Sequence, residues 1–267
     1  MTAATVTELP ELIEETQTKG ECKVKKGFVQ TTNFRLLKEA EKIVARRGAR
    51  EASLVLIQGK FGIGKSELTE RWASENGHAF IRAKKVWTSR SMLEDVATEL
   101  GLSVRGSAKD VENRIAQHLA QTMQALIIDE ADYLADMKSA AKLETIRDIS
   151  DVTGTMVFLV GMENFPAIVQ RYEHIASRVA RIVQLHPLSL IDVQAACKAK
   201  AEVALTPALV DQIHRDSKGR MRHVLNAIAN IEVWAEANSW TEVDVSHVKG
   251  KPLCADFTGH LAANRGG

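Results

Sequence analysis

The chain has no long apolar run. Its unbroken apolar stretches are only a few residues long, far short of the ~20 that a membrane-spanning helix requires, so no membrane partner is expected. The start, Met1-Thr2-Ala3-Ala4-Thr5-Val6, lacks the basic opening and apolar core of an export signal. Cysteine is scarce as well. Cys22, Cys197 and Cys254 are odd in number and far apart, which fits neither a disulfide framework nor a zinc knuckle. They read as reduced thiols in a cytoplasmic protein. Charge of one sign is missing too, since 35 Lys and Arg stand against 34 Asp and Glu, a net of +1. Any affinity for nucleic acid must then come from local patches or from assembly of many copies. Internal repeats and low-complexity tracts are also absent.

What the chain does have is 267 residues with an ordinary apolar share of 45%, enough for one large domain or two modest ones. One stretch organises the rest: Gly59-Lys60-Phe61-Gly62-Ile63-Gly64-Lys65-Ser66 satisfies G-x-x-x-x-G-K-[ST] at every fixed position. The run Ser53-Leu54-Val55-Leu56-Ile57-Gln58 precedes it as a buried parallel strand. A helix from Glu67 that closes near Asn76-Gly77 follows. In that context the loop backbone from Gly59 through Phe61, Gly62, Ile63 and Gly64 to Glu67 can turn successive N–H groups toward a polyphosphate. Lys65 is placed to reach the β- and γ-phosphates, and Ser66 to take one position on Mg²⁺. ATP and Mg²⁺ are the implied ligands.

The second decisive stretch is Ala125-Leu126-Ile127-Ile128-Asp129-Glu130-Ala131-Asp132, an apolar strand ending in adjacent carboxylates. This is the Walker B pattern. Asp129 is the candidate for Mg²⁺, and Glu130 the candidate for orienting and polarising the attacking water.

The remaining pattern predicts an α/β domain followed by helices. Further strands are expected at residues 79–82, 155–160 and 182–185, with helices between them and a helix running on through 177–181. Ser91-x-x-Glu94 reads as a capping box, and Thr206-Pro207 as a helix start. The expected organisation is a flexible arm over 1–27, a nucleotide-binding α/β domain over 28–187, an all-helical lid over 188–250 and a flexible tail over 251–267. The fold class is a five-stranded parallel sheet flanked by helices, with the nucleotide at its carboxyl edge. Phe28 and Val29, just before the first helix, are candidates for adenine contact, or simply core. Lys84, Lys85 and Arg90, with Arg105 on the next loop, form a cationic stretch around Trp87 that is free of acids between Arg82 and Arg90. Such a run can track phosphates without reading bases, or can be an ordinary solvated loop.

The phosphate loop, the Walker B pair, an Arg-bearing segment after the fourth strand and Gly219-Arg220-Met221-Arg222 in the lid together resemble the AAA+ ATPases. Within them the chain looks most like the small transposition regulators (the phage Mu B protein, TnsC, TniB and IstB). The resemblance to the AAA+ ATPases covers roughly residues 28–250. It implies that Arg222 is the sensor-2 arginine, reaching the γ-phosphate and coupling it to the lid. It also implies that Arg178 is an arginine finger for a neighbouring subunit, with Arg181 competing for the role. At the sensor-1 place, Met162 stands where a small polar residue is usual, and Asn164 or Glu163 could serve instead, Asn164 being the better chemical match. The implied activity is Mg-dependent ATP hydrolysis that governs a homo-oligomer, filament or ring, on duplex DNA, marking target sites and activating a transposase. A helicase loader or replication initiator shares the same parts. A secretion-type ATPase or a non-hydrolysing scaffold fits them less well.

Overall fold

A computed structural model describes residues 24–25, 28–135 and 137–254. Nearly all of the expected N-terminal arm, with Cys22, and the tail beyond residue 254 lie outside the described residues. The five strands are β1 (Leu54–Gln58), β2 (Ala79–Arg82), β3 (Leu126–Asp129), β4 (Val157–Gly161) and β5 (Val179–Gln184). They form one all-parallel sheet in the order β2-β3-β4-β1-β5. The central strands have side chains covered on both faces: Leu54, Val55, Leu56 and Ile57 of β1 are all buried, as is every residue of β3 and β4. Both-sided burial is what a continuous apolar run without alternation dictates.

Helices cover the two faces. α1 (Thr32–Ala45) and α2 (Lys65–Asn76) pack Phe34, Leu37, Leu68 and Trp72 against Val55, Ile57, Ile127 and Phe158. On the other face α3 (Ser89–Glu99), α4 (Ala108–Thr122) and α5 (Ala141–Thr153) bury Met92, Ile115, Leu119 and Ile146 against Leu54, Leu56, Ile128 and Leu159. The odd and even residues of β1 thus serve different cores, as the period of two requires. β1 lies between β4 and β5, with β3 beyond β4, so the phosphate loop after β1 and the carboxylates after β3 open on the same carboxyl edge of the sheet.

Two short helices, α6 (Phe165–Gln170) and α7 (Glu173–Ala176), bridge β4 to β5. The helix expected to continue through 177–181 stops at Ala176. Val179–Arg181 already belong to β5, because Leu54 N–H bonds to Arg178 O at 3.0 Å and starts the parallel ladder there. The capping box at the start of α3 also lies three residues earlier than the sequence suggests. Thr88 is the N-cap, its side chain accepts from Ser91 N–H, and Ser91 is the third helical residue rather than the cap.

The C-terminal part is built from α8 (Leu190–Lys200), α9 (Pro207–Ser217) and α10 (Met221–Asn238) around its own core of Val193, Leu209, Ile213, Val224, Ile228 and Ile231. It is not purely helical: β6 (Ala204–Leu205) and β7 (Glu242–Val243) pair in parallel and close the bundle. Thr206 stands at the N-cap position of α9 with Pro207 at its first position, as Thr-Pro at a helix start should, though its hydroxyl donates to Asp244 rather than capping the helix. Among the described residues, no helix is long and apolar enough to cross a membrane.

Candidate active site

A cleft of about 280 Å³ opens where the phosphate loop, the end of β3, the end of β4 and the start of α10 meet. Its walls include Phe61, Gly62, Gly64, Lys65, Ser66 and Glu67 from the loop side, and Asp129 and Glu130 from the Walker B side. The loop takes its shape from Gly62 and Gly64, at φ 77° and 89°, a region costly for side-chain-bearing residues. The missing side chains also let the lid approach, since a Cβ on Gly64 would meet Met221 at 3.4 Å. α2 then begins at Lys65 directly behind the loop, leaving its first N–H groups and positive dipole end facing the cleft. Gly59 and Ile63 support the loop from behind; Ile63 is buried, and a Cβ on Gly59 would strike its Cδ1 at 2.5 Å.

Lys65 Nζ donates to the carbonyls of Gly59 (2.7 Å) and Lys60 (3.0 Å) and lies 3.7 Å from Met162 Sδ. Burial lowers its pKa, against the opposing pull of Asp129, Glu130, Asp132 and Glu163. Asp129 is almost fully buried and is approached by Arg82 Nε at 3.3 Å. Glu130 sits in the left-handed region at φ 55°, a strained place for a non-glycine that costs about 1 kcal/mol or more. That kink starts the 3₁₀ turn Ala131–Leu134. A glycine-formed anion cradle, a half-buried lysine and two carboxylates in one cleft fit a Mg-nucleotide. Ser66 and Asp129 would hold the metal, and the loop N–H groups and Lys65 the phosphates.

The lid closes the far side. Arg222 lines the cleft, and its backbone N–H bonds to Gly62 O at 3.2 Å. Met221 and Leu225 from the same helix join it. Beside the cleft a smaller recess is bounded by Phe28, Val29, Ile63, Gly64, Leu68, Leu188 and Met221. Phe28 packs edge-on to Phe34 with centroids 4.7 Å apart, while Val29 joins the core of the lid. Both candidate adenine contacts therefore line the recess beside the cleft and also pack in a core.

The other expected residues separate. Asn164 is exposed, begins α6 without capping it, and does not line the cleft; Met162 does. Arg178 is held by Asp151 on α5, Nε lying 3.0 Å from each carboxylate oxygen. Arg181 is exposed on the edge strand β5, with no ion pair among the described residues. In the cationic stretch, Lys84 is paired with Asp95 at 2.6 Å. Arg90 binds Glu94 and the carbonyls of Val104 and Gly106, so it pins the α3–α4 loop. Trp87 is buried, its Nε1–H donating to Asp95 at 2.7 Å. Lys84, Lys85 and Arg105 are all exposed, and of these Lys84 alone is in an ion pair among the described residues. Sequence reasoning named Met162 only as a departure at the sensor-1 place, and missed Asp132 beside it and Arg82 as the neighbour of Asp129. The only early signal was the third acid in Asp129-Glu130-Ala131-Asp132.

Residues 46–169 match the family model described as AAA domain. That match spans somewhat less than half of the 267 residues. Solved structures similar to it include the *Aeropyrum pernix* ORC2 protein in ADPNP-ADP complexes, at 18% identity and a TM-score of 0.65, covering 90% of this chain and 73% of that one. CDC6P from *Pyrobaculum aerophilum* is 13% identical with a TM-score of 0.63, over 89% and 72% of the two chains. The *Thermotoga maritima* RuvB Holliday junction branch migration motor is 17% identical with a TM-score of 0.59, over 88% and 75%. At these identities the likeness shows the fold: an AAA+ sheet with helices after it. No curated protein matches the chain by sequence.

Proposed function

We propose that this protein binds ATP with Mg²⁺, hydrolyses it, and uses the cycle to assemble and release a homo-oligomer on duplex DNA. The observation that carries this reading is the contact between loop and lid. The N–H of Arg222 bonds to Gly62 O, and the Arg222 side chain lines the same cleft as Lys65 and Glu130. A ligand in that cleft touches both parts, so its state can set the angle between them.

ATP, when bound, supplies the transferable phosphoryl group. Lys65 and the loop N–H groups hold its phosphates, and Ser66 with Asp129 holds Mg²⁺. Glu130 orients a water and takes its proton at the carboxylate. Phe28 and Val29 border the base. Arg222 answers the γ-phosphate from the lid, and Arg178 or Arg181 completes the site of a second copy. The role assigned to this cycle is regulation of transposition, by target selection and activation of a transposase. The support is the resemblance in the Walker B stretch, the Leu-Val-Gly end of β4 and the compact lid. A second reading, a replication initiator or helicase loader, is favoured by likeness to structures such as *Aeropyrum pernix* ORC1 in complex with DNA, at 19% identity and a TM-score of 0.55.

Electron microscopy and sedimentation with ATP, Mg²⁺ and duplex DNA test the common core. DNA-bound oligomers that dissolve on hydrolysis are expected, and a chain that stays monomeric overturns it. Co-purification with a transposase rather than a helicase separates the two roles.

A further inference from the structure

Asp132 is the third acid of the Walker B stretch, and the reading above gives it no task. It lies in the 3₁₀ turn that the left-handed Glu130 starts. The turn folds the chain back across the sheet edge, so that Asp132 Oδ2 accepts the backbone N–H of Met162 at 2.9 Å. Met162 follows β4, the strand beside β3. The bond therefore ties the turn after one strand to the turn after its neighbour.

Two further observations give that tie a consequence. A Cβ on Gly161 would lie 2.9 Å from Asp132 Oδ2 and 2.9 Å from the Phe165 ring, so the approach needs a glycine there. Met162 itself lines the cleft and brings its sulfur to 3.7 Å from Lys65 Nζ. A thioether is too weak an acceptor to hold its own turn in place. The position of this wall depends on what grips the Met162 backbone.

We propose that Asp132 is a positioning residue. It fixes the turn after β4 against the Walker B turn, and through Met162 it sets the wall of the cleft beside Lys65. The inference rests on the reading of this cleft as an ATPase site. Burial pushes the Asp132 carboxyl pKa upward, and the bond from Met162 opposes that rise, as expected for a carboxylate enclosed at a strand edge.

The test compares Asp132→Ala, Asp132→Asn and Gly161→Ala in the full chain, by ATP turnover, nucleotide affinity and hydrogen exchange of the 161–165 segment. Asp132→Ala should lower kcat at least tenfold while nucleotide affinity changes less than threefold. It should also speed exchange at Met162 at least tenfold. Asp132→Asn keeps an oxygen acceptor and should recover most of both losses. Gly161→Ala, which displaces Oδ2 from the other side, should match Asp132→Ala, and the double variant should be no worse than either. Turnover within twofold of the parent in Asp132→Ala, or strictly additive losses, overturns the proposal. A parent chain that binds ATP without turning it over overturns the hydrolysis reading instead. The positioning role is then decided by Met162 exchange alone, and unchanged exchange in Asp132→Ala sinks it.

Discussion

Arg178 Nε stands 3.0 Å from both Oδ1 and Oδ2 of Asp151, so an arginine offered by the sequence to a neighbouring copy is held by a helix of its own chain. Arg147 reaches the same carboxylate at 3.7 Å, so Asp151 gathers two cations. If Arg178 is the finger, it must leave Asp151 when a second copy docks. Arg181, already exposed on the edge strand, would have no bond to break.

Single substitutions decide between them. Should Arg178 carry the role, Arg178→Ala is expected to lower ATP turnover of the assembled protein by ~10³-fold or more while the isolated chain still binds nucleotide. Arg181→Ala would then change turnover little, and the reverse pattern assigns the finger to Arg181. Asp151→Asn should cost under about 1 kcal/mol in chemical denaturation, because the pair is partly exposed. It should also favour assembly by releasing Arg178, measured as a lower concentration for half-assembly.

Glu130→Gln removes the proton acceptor and keeps the size of the side chain. Turnover should fall by ~10²–10⁴-fold with nucleotide affinity nearly unchanged, and oligomers on DNA should persist instead of dissolving. Phosphate release and light scattering on one sample measure both effects. Lys65→Ala should behave differently, losing nucleotide binding itself, because the cleft then lacks its half-buried cation beside Asp129 and Glu130.

The cationic stretch makes a graded forecast. Lys85 and Arg105 are exposed, whereas Lys84 is paired with Asp95 and Arg90 is spent on Glu94 and two loop carbonyls. Lys85→Glu with Arg105→Glu should abolish DNA retention with nucleotide binding intact. Lys84→Glu alone should weaken retention less. Each lost phosphate contact should reduce the salt slope of log K by about 0.9, read from binding isotherms at several salt concentrations. Arg90→Glu should instead lower thermal stability, since it frees the α3–α4 loop.

How much of this was legible beforehand follows from how local each signal is. The phosphate loop and Asp129-Glu130 declare themselves because their chemistry needs fixed spacing between neighbours in the chain. The central strands declare themselves because burial on both faces writes unbroken apolar runs such as Leu54-Val55-Leu56-Ile57. Lys84 looked free because Asp95 is 11 residues away, and the two carbonyls that fix Arg90 beyond its helical neighbour Glu94 are 14 and 16 residues away. The burial of Trp87 within that cationic stretch was not legible, because nothing local says that its indole N–H has an acceptor on the next helix. The early start of β5 was hidden because it depends on the Leu54–Arg178 bond between distant segments. The bond from Met162 to Asp132 spans 30 residues and leaves no pattern at all.

Trp72 supplies a forecast away from the cleft. It is fully buried against Phe158, and its indole Nε1–H donates to Glu41 Oε2 at 3.2 Å. Glu41 Oε1 lies 3.3 Å from His78 Nε2. The hydrogen bond with His78 is the main cause holding the Glu41 carboxyl below its ordinary value, with burial opposing it and the Trp72 bond adding to it. A carboxyl lowered on folding contributes stability that is present above its unfolded pKa and lost as pH falls through the lowered value. The parent should therefore lose stability as pH drops below the ordinary carboxylate range, and Glu41→Ala should lose less over that interval. At neutral pH, Glu41→Ala leaves a buried indole N–H unpaired and should cost ~1–3 kcal/mol. Glu41→Gln keeps an oxygen for Trp72 and should cost less, as urea unfolding at pH 7 would show, with the acid response read from a series continued to about pH 3, below the ordinary carboxylate range. Equal pH dependence in parent and Glu41→Ala would remove Glu41 from the acid response.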